Sequence, residues 1–238
     1  LDHSSIRIGQ GSEVSRLIVR AVLTDMDGTI TRFNLDYMAM RRTALGLLQE
    51  AGLSRAGFSD QMSIYVMLKE LRPTISPDRY NEVKQRIYGA IEKIEIDSAK
   101  DAQLTPGAKE ALNELKQMRK KLIVVTNNGK LGTERTLERL GLTGILDGVV
   151  TRDHADELKP DPEMVLKALE VAGAKPNEAI LVGDSIIDIR AAGAVSVRSV
   201  AVPTGPFSLA RLLEEGPDFI ITSFLDVPEL VRRLDDEA

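Results

Sequence analysis

At 238 residues, 43% hydrophobic and 28% charged, the chain has material for a buried core and a solvated surface, in one domain or one and a half. A net charge of −5 disfavours nucleic acid on a broad basic face, and no stretch approaches the roughly 20 apolar residues that span a bilayer. Zero cysteines exclude disulfides, thiol catalysis and thiolate metal sites, and two histidines, His3 and His154, are too few for a histidine metal cluster.

Residues 1–16 form a polar N-terminal extension that is expected to be loosely held. It lacks the apolar core of a secretory signal, so a cytoplasmic location is expected. A short buried strand follows at residues 21–23, with Ile18 and Val19 before it. It runs into Asp25-Met26-Asp27-Gly28-Thr29, two carboxylates one residue apart at a strand end. Residues 34–100 carry helical rather than strand-like spacing, with helices predicted over 35–50, from Asp60 to 71, and from Pro77 to about 94. After residue 100 strands and helices alternate. Helices are expected over 105–119, 130–140, 161–172, 186–192, 209–214 and 227–234, and strands over 122–125, 149–150, 179–182, 197–202 and 219–222. That rhythm predicts an α/β fold, a Rossmann-like parallel sheet with helices on both faces. The chain leaves the sheet once, for the helical block, which makes 17–33 and 101–238 one core domain and 34–100 an insertion.

The polar residues gather where strands end. Asp25 and Asp27 repel unless a cation lies between them or one holds a proton; Asp-x-Asp-Gly also suits a solvated turn. It is not a helix-loop-helix calcium loop, because its glycine comes too early and the twelfth position is Asp36. After 122–125 comes Thr126-Asn127-Asn128-Gly129, a hydroxyl and backbone amides before a helix, suited either to a phosphate oxygen or to capping by Thr126 or Asn128. After 179–182 comes Gly183-Asp184-Ser185-Ile186-Ile187-Asp188, with Asp188 one helical turn beyond Asp184. Asp184 reads as an N-cap or as a third carboxylate at the rim that holds Asp25 and Asp27, where Mg²⁺ would take oxygen ligands. Lys159, in Leu158-Lys159-Pro160, is either solvated or placed to neutralise a phosphate, and His154 is expected to cap a loop.

Taken together and in this order, these four motifs resemble those of the haloacid dehalogenase-like hydrolases, in the phosphoglycolate phosphatase and β-phosphoglucomutase branch with an inserted all-helical cap domain. The resemblance covers about residues 19–234. It implies that Asp25 is the nucleophile of an aspartyl-phosphate mechanism and that Asp27 is the acid and then the base. It implies Mg²⁺ bound by Asp25, the carbonyl of Asp27 and Asp184, with Asp188 orienting the metal shell or the lysine. Gly28, Thr126, Asn127 and Lys159 would hold the phosphoryl oxygens. The expected activity is Mg²⁺-dependent hydrolysis of a small phosphomonoester metabolite, phosphoglycolate-like or a sugar phosphate, with a phosphosugar mutase as the alternative and a non-catalytic scaffold or binding protein as a third reading. Dehalogenation and phosphonate hydrolysis are disfavoured, because those relatives lack the second aspartate. Monomer and homodimer remain open.

One segment departs from the resemblance. Where relatives often carry an Asp-Ser pair after the first motif, this chain has Ile30-Thr31-Arg32-Phe33-Asn34. That segment leads to the cap and bears on the substrate more than on the chemistry. Arg32, Arg41, Arg42, Lys69 and Arg72 could read a substrate carboxylate or form a solvated face.

Overall fold

The structure, a computed structural model, describes residues 6–7, 18–55 and 57–237. Among them, seven strands form one sheet: β1 (Ile6–Arg7), β2 (Ala21–Thr24), β3 (Lys121–Val125), β4 (Gly148–Val150), β5 (Ala179–Gly183), β6 (Arg198–Ala201) and β7 (Phe219–Ile220), in the order β1-β7-β6-β5-β2-β3-β4. Six strands run parallel, and β1 pairs antiparallel with β7, Ile6 opposite Ile220. That pairing was not foreseen; the remainder of the expected loose extension over 1–16 lies outside the described residues.

The strands are short and apolar on both faces because helices cover both. Val22, Leu122, Val124, Ile180 and Val182 pack on one side against α4 (Ala108–Gln117) and α9 (Val227–Asp236). Ala21, Leu23, Ile123, Val125 and Leu181 alternate to the other side, against α6 (Glu163–Ala172) and α7 (Ile186–Ala194). Helix α5 (Lys130–Arg139) crosses from β3 to β4, and α8 (Leu209–Leu213) from β6 to β7. The order places β2 in the centre, with β3 on one side and β5 on the other. The chain first builds outward through β3 and β4 and then returns to β5, so the sheet has its switch point at β2, where open α/β sheets bind ligands.

Between β2 and α4 lie α1 (Tyr37–Glu50), α2 (Ile64–Leu71) and α3 (Pro77–Ala99). They have their own apolar cluster, built from Met40, Ala44, Leu48, Met67, Leu68, Leu71, Val83, Ile87 and Ile91. Two boundaries differ from the sequence reading by four residues or more. Helix α2 starts at Ile64, four residues after Asp60, because the Ser63 hydroxyl accepts from the Val66 amide while Met62 N donates to Ser59 O in a preceding turn. Helix α3 runs past residue 94 to Ala99, with Glu95 buried in its apolar stripe.

Helix α4 seats Leu112 fully buried against the sheet. Leu112→Ala is expected to destabilise the protein by about 2–5 kcal/mol, read as a lower urea midpoint at unchanged slope. A loss of under about 1 kcal/mol would contradict this packing.

Candidate active site

Four neighbouring strand ends bring the polar motifs together. Thr24 lies opposite Val124 and Val182, and the Asp25 amide continues the ladder to the Val182 carbonyl at 2.8 Å. Asp25 therefore stands at the rim, one residue beyond the strand. The chain then turns tightly, with Gly28 N donating to Thr31 O at 2.8 Å and Thr31 N to Met26 O at 2.9 Å. Gly28 has φ +87, and a Cβ there would lie 2.3 Å from Asp184 Oδ2; at Gly205 a Cβ would lie 1.5 Å from the same oxygen. Both positions need glycine so that Asp184 can approach the first motif.

Lys159 is the centre of the arrangement, with 1% of its side chain exposed. Its ammonium donates to Asp25 Oδ1 at 2.8 Å, Asp188 Oδ1 at 2.6 Å and the Val125 carbonyl at 2.6 Å, which uses all three of its protons. Its backbone is clamped by Asn127, whose Nδ2 donates to Lys159 O at 2.9 Å and whose Oδ1 accepts from Lys159 N at 3.1 Å. Burial alone would lower the lysine, but Asp188 and Asp25 outweigh it and hold the ammonium above its ordinary value.

Oxygens of Asp25, Asp184 and Asp188 all lie within 4.8 Å of one another. Burial pushes Asp184 up, and the charges of Asp25 and Asp188 push it further. Asp188 is raised by burial, against the pull of Lys159, and its second oxygen is buried without a hydrogen-bond partner. Crowded carboxylates with an unused buried oxygen suit a hard divalent cation with oxygen ligands. Sequence reasoning placed Asp188 behind the metal ligands; its carboxylate stands among the three that gather.

The carboxyl of Asp27 lies outside that group. It accepts from Asn128 Nδ2, and from Thr31 Oγ1 at 3.3 Å. Burial, then the neighbouring charge of Asp25, raises it to about 7. Capping does not occupy the motif side chains. Gly129 caps α5 with no side-chain bond, Thr126 Oγ1 accepts from Asn128 N at 3.2 Å, and Ser185 caps α7 in place of Asp184. His154 does serve a loop, its Nδ1 accepting from Thr151 N at 3.0 Å.

Above these residues opens a cavity of about 580 Å³ whose wall includes Asp25, Asp27, Thr126, Asn127, Lys159 and Asp184. Of the five basic residues proposed to read a carboxylate, Arg41 alone lines it among the described residues. Arg72 pairs instead with Glu157 at 2.7 Å, and Lys69 lies 3.4 Å from the Tyr65 hydroxyl.

Sequence reasoning missed Asn128 as the partner of Asp27, and it missed a buried ion pair. Arg152 donates to both oxygens of Glu95, at 2.8 and 3.0 Å, and its guanidinium lies 4.6 Å from the Tyr88 ring centroid. Glu95 also accepts from Gly129 N at 3.0 Å, and Arg152 donates to Asn127 O at 3.3 Å. Helix α3 is thus tied to the loop that holds Asn127 and Asn128. The signal was present: Val83, Ile87, Ile91, Glu95 and Ala99 recur every four residues, so a carboxylate sits in an apolar stripe and requires a buried cation.

A parallel sheet whose central strand ends in paired aspartates, with a buried lysine and two further aspartates at the adjoining ends, defines a class of hydrolase. The family model described as haloacid dehalogenase-like hydrolase matches residues 22–202, and the chain belongs to that family. Within it, the chain falls in the phosphoglycolate phosphatase and β-phosphoglucomutase-like branch. It is 28% identical over 220 residues to the phosphoglycolate phosphatase of Aquifex aeolicus, covering 90% of this chain and 97% of that protein. With the pyrophosphatase PpaX of Bacillus cereus it shares 35% identity over 118 residues, 50% of this chain and 55% of the relative. A crystal structure of a hydrolase from Pseudomonas syringae superposes with a TM-score of 0.68 at 25% identity, covering 90% of this chain and 98% of the other. No described helix is long and apolar enough to cross a membrane.

Removing one member of a buried pair leaves the other charge without compensation. Glu95→Ala is therefore expected to destabilise the protein by about 3–5 kcal/mol. A Glu95→Ala, Arg152→Ala double-mutant cycle is expected to show strong coupling in denaturant unfolding. Additive losses would mean that the pair does not act as a unit.

Proposed function

We propose that this hydrolase is a Mg²⁺-dependent phosphatase of a small phosphomonoester metabolite. The observation that carries the reading is the Lys159 ammonium bonded to Asp25 at the crowded end of β2. It orients a carboxylate oxygen where a phosphoryl group would arrive. A carboxylate needs no base to act as a nucleophile. Asp25 attacks phosphorus, the bond to the leaving oxygen breaks, and Asp27 supplies the proton that the leaving oxygen takes up. Asp27 then removes a proton from water, which attacks the aspartyl-phosphate and releases inorganic phosphate and free Asp25. Thr126, Asn127, Gly28 and Lys159 border the space for the phosphoryl oxygens.

Asp25, Asp184 and the backbone carbonyl of Asp27 would hold Mg²⁺, with the carboxylate of Asp188 close by; the crowding of these acids and the free oxygen of Asp188 fit such an ion. When bound, it supplies positive charge against the phosphoryl oxygens. In this reading the helical insertion over 34–100 acts as a cap on the core of 17–33 and 101–238, closing the cavity and excluding water.

The phosphatase names among the relatives support the reading. A protein of Bacteroides vulgatus provisionally named beta-phosphoglucomutase, 25% identical with a TM-score of 0.66, keeps a mutase as the second reading. Phosphate release from a panel of phosphomonoesters separates the two, since a mutase returns an isomer without accumulating phosphate. With Mg²⁺ the protein is expected to release phosphate, and with EDTA to stop. Asp25→Asn is expected to lower turnover by roughly a thousandfold or more while keeping the unfolding transition. Unchanged turnover in that variant would overturn the mechanism.

A further inference from the structure

The wall of the cavity facing the carboxylates is apolar and aromatic. Phe33, Tyr37, Ile64 and Val66 belong to it, together with Met38 and Ile91. Phe33 stacks on Tyr37 with ring centroids 5.2 Å apart and 21° between the planes. Phe33 remains 41% exposed and Val66 37% exposed, so two large apolar side chains face the opening rather than the protein interior. Such surface normally becomes covered when a ligand binds. Phe33 comes from the segment in which this chain departs from its resemblance to relatives.

Three of the four cations that line the cavity are already held by carboxylates. Lys159 is held by Asp25 and Asp188, Arg152 by Glu95, and Arg190 by Glu215 at 2.7 and 2.8 Å. Arg41 forms no ion pair among the described residues and donates to the Asp60 carbonyl at 3.2 Å. A phosphate would meet Lys159 and the metal. Away from Arg41, a second anionic group would face an apolar wall and the acids of the floor, where an unpaired charge is costly. The volume of about 580 Å³ lies within the range of about 300–1,000 Å³ for pockets that enclose drug-sized ligands.

We infer that the organic part of the substrate is apolar and uncharged, an aromatic or branched group seated against Phe33, Tyr37, Ile64 and Val66. This rests on the phosphatase reading and deepens it. It distinguishes the chain from an enzyme for phosphoglycolate, whose organic part is a charged carboxymethyl group.

The test compares benzyl phosphate with 4-carboxybenzyl phosphate and phosphoglycolate, at equal Mg²⁺ concentration. The kcat/KM for benzyl phosphate is expected to exceed each of the others at least tenfold. Phe33→Ala is expected to raise the KM for benzyl phosphate about tenfold, the scale of losing a buried aromatic contact, and to shrink its advantage. Equal or better turnover of either carboxylate compound overturns the inference. If none is hydrolysed, the phosphatase reading fails, and calorimetric titration of the protein with the two benzyl compounds and Mg²⁺ decides the pocket. Tighter binding of benzyl phosphate, by tenfold or more, then upholds its apolar character. Equal binding, a preference for the carboxylate, or no binding of either refutes it.

Discussion

A buried ammonium among carboxylates is the interaction on which the catalytic end of the sheet depends. Asp25, Asp184 and Asp188 are three acids with oxygens within 4.8 Å, in surroundings that strip away water. Without a cation their charges would repel. Lys159 supplies one charge and spends its three protons on Asp25, Asp188 and a strand carbonyl. Its position does not depend on a long, mobile side chain alone, because Asn127 grips the Lys159 backbone at both its N–H and its carbonyl. The parallel sheet makes this possible by delivering four loops, after β2, β3, β4 and β5, to adjacent points on one edge.

The same Asn127 connects the floor to the helical insertion. Its side chain holds Lys159, and its carbonyl accepts from Arg152, which is paired with Glu95 of α3. Gly129, two residues on, donates to Glu95 as well, and a Cβ there would come within 2.5 Å of Arg152. The loop between β3 and α5 is thus fastened to the sheet on one side and to α3 on the other. In the proposed reaction, this makes the placement of the insertion and the placement of the phosphoryl-binding residues parts of one structure. The apolar wall belongs mostly to the insertion and its leading segment, and the charged floor to the core.

Much of the fold was legible because its signals are local. Apolar runs ending in Asp, Asn or Gly marked the strands, and alternation with helical spacing implied a parallel sheet. Errors fell where a local signal had a tertiary answer. Asp60 looked like a helix start, but Ser63 took the cap while the Asp60 carbonyl received Arg41. The helix from Pro77 was expected to end near residue 94, yet Arg152, 57 residues from Glu95, neutralises that buried carboxylate and the helix continues to Ala99. Asn128 looked like a cap and instead holds Asp27 across 101 residues.

The sequence by itself determined the residue types available to the chemistry, their order at strand ends, and the family to which they point. Those properties follow from short stretches of chain, where spacing and hydrophobic periodicity carry the information. The tertiary structure decided which charges meet. It placed Asp188 beside Asp25 and Asp184, turned Arg72 and Arg190 toward partners outside the floor, and raised an aromatic wall over the carboxylates. Pairing and burial are properties of three-dimensional neighbourhoods. A lysine or a glutamate has the same letter whether water or a carboxylate surrounds it, and only the packed chain fixes which one does.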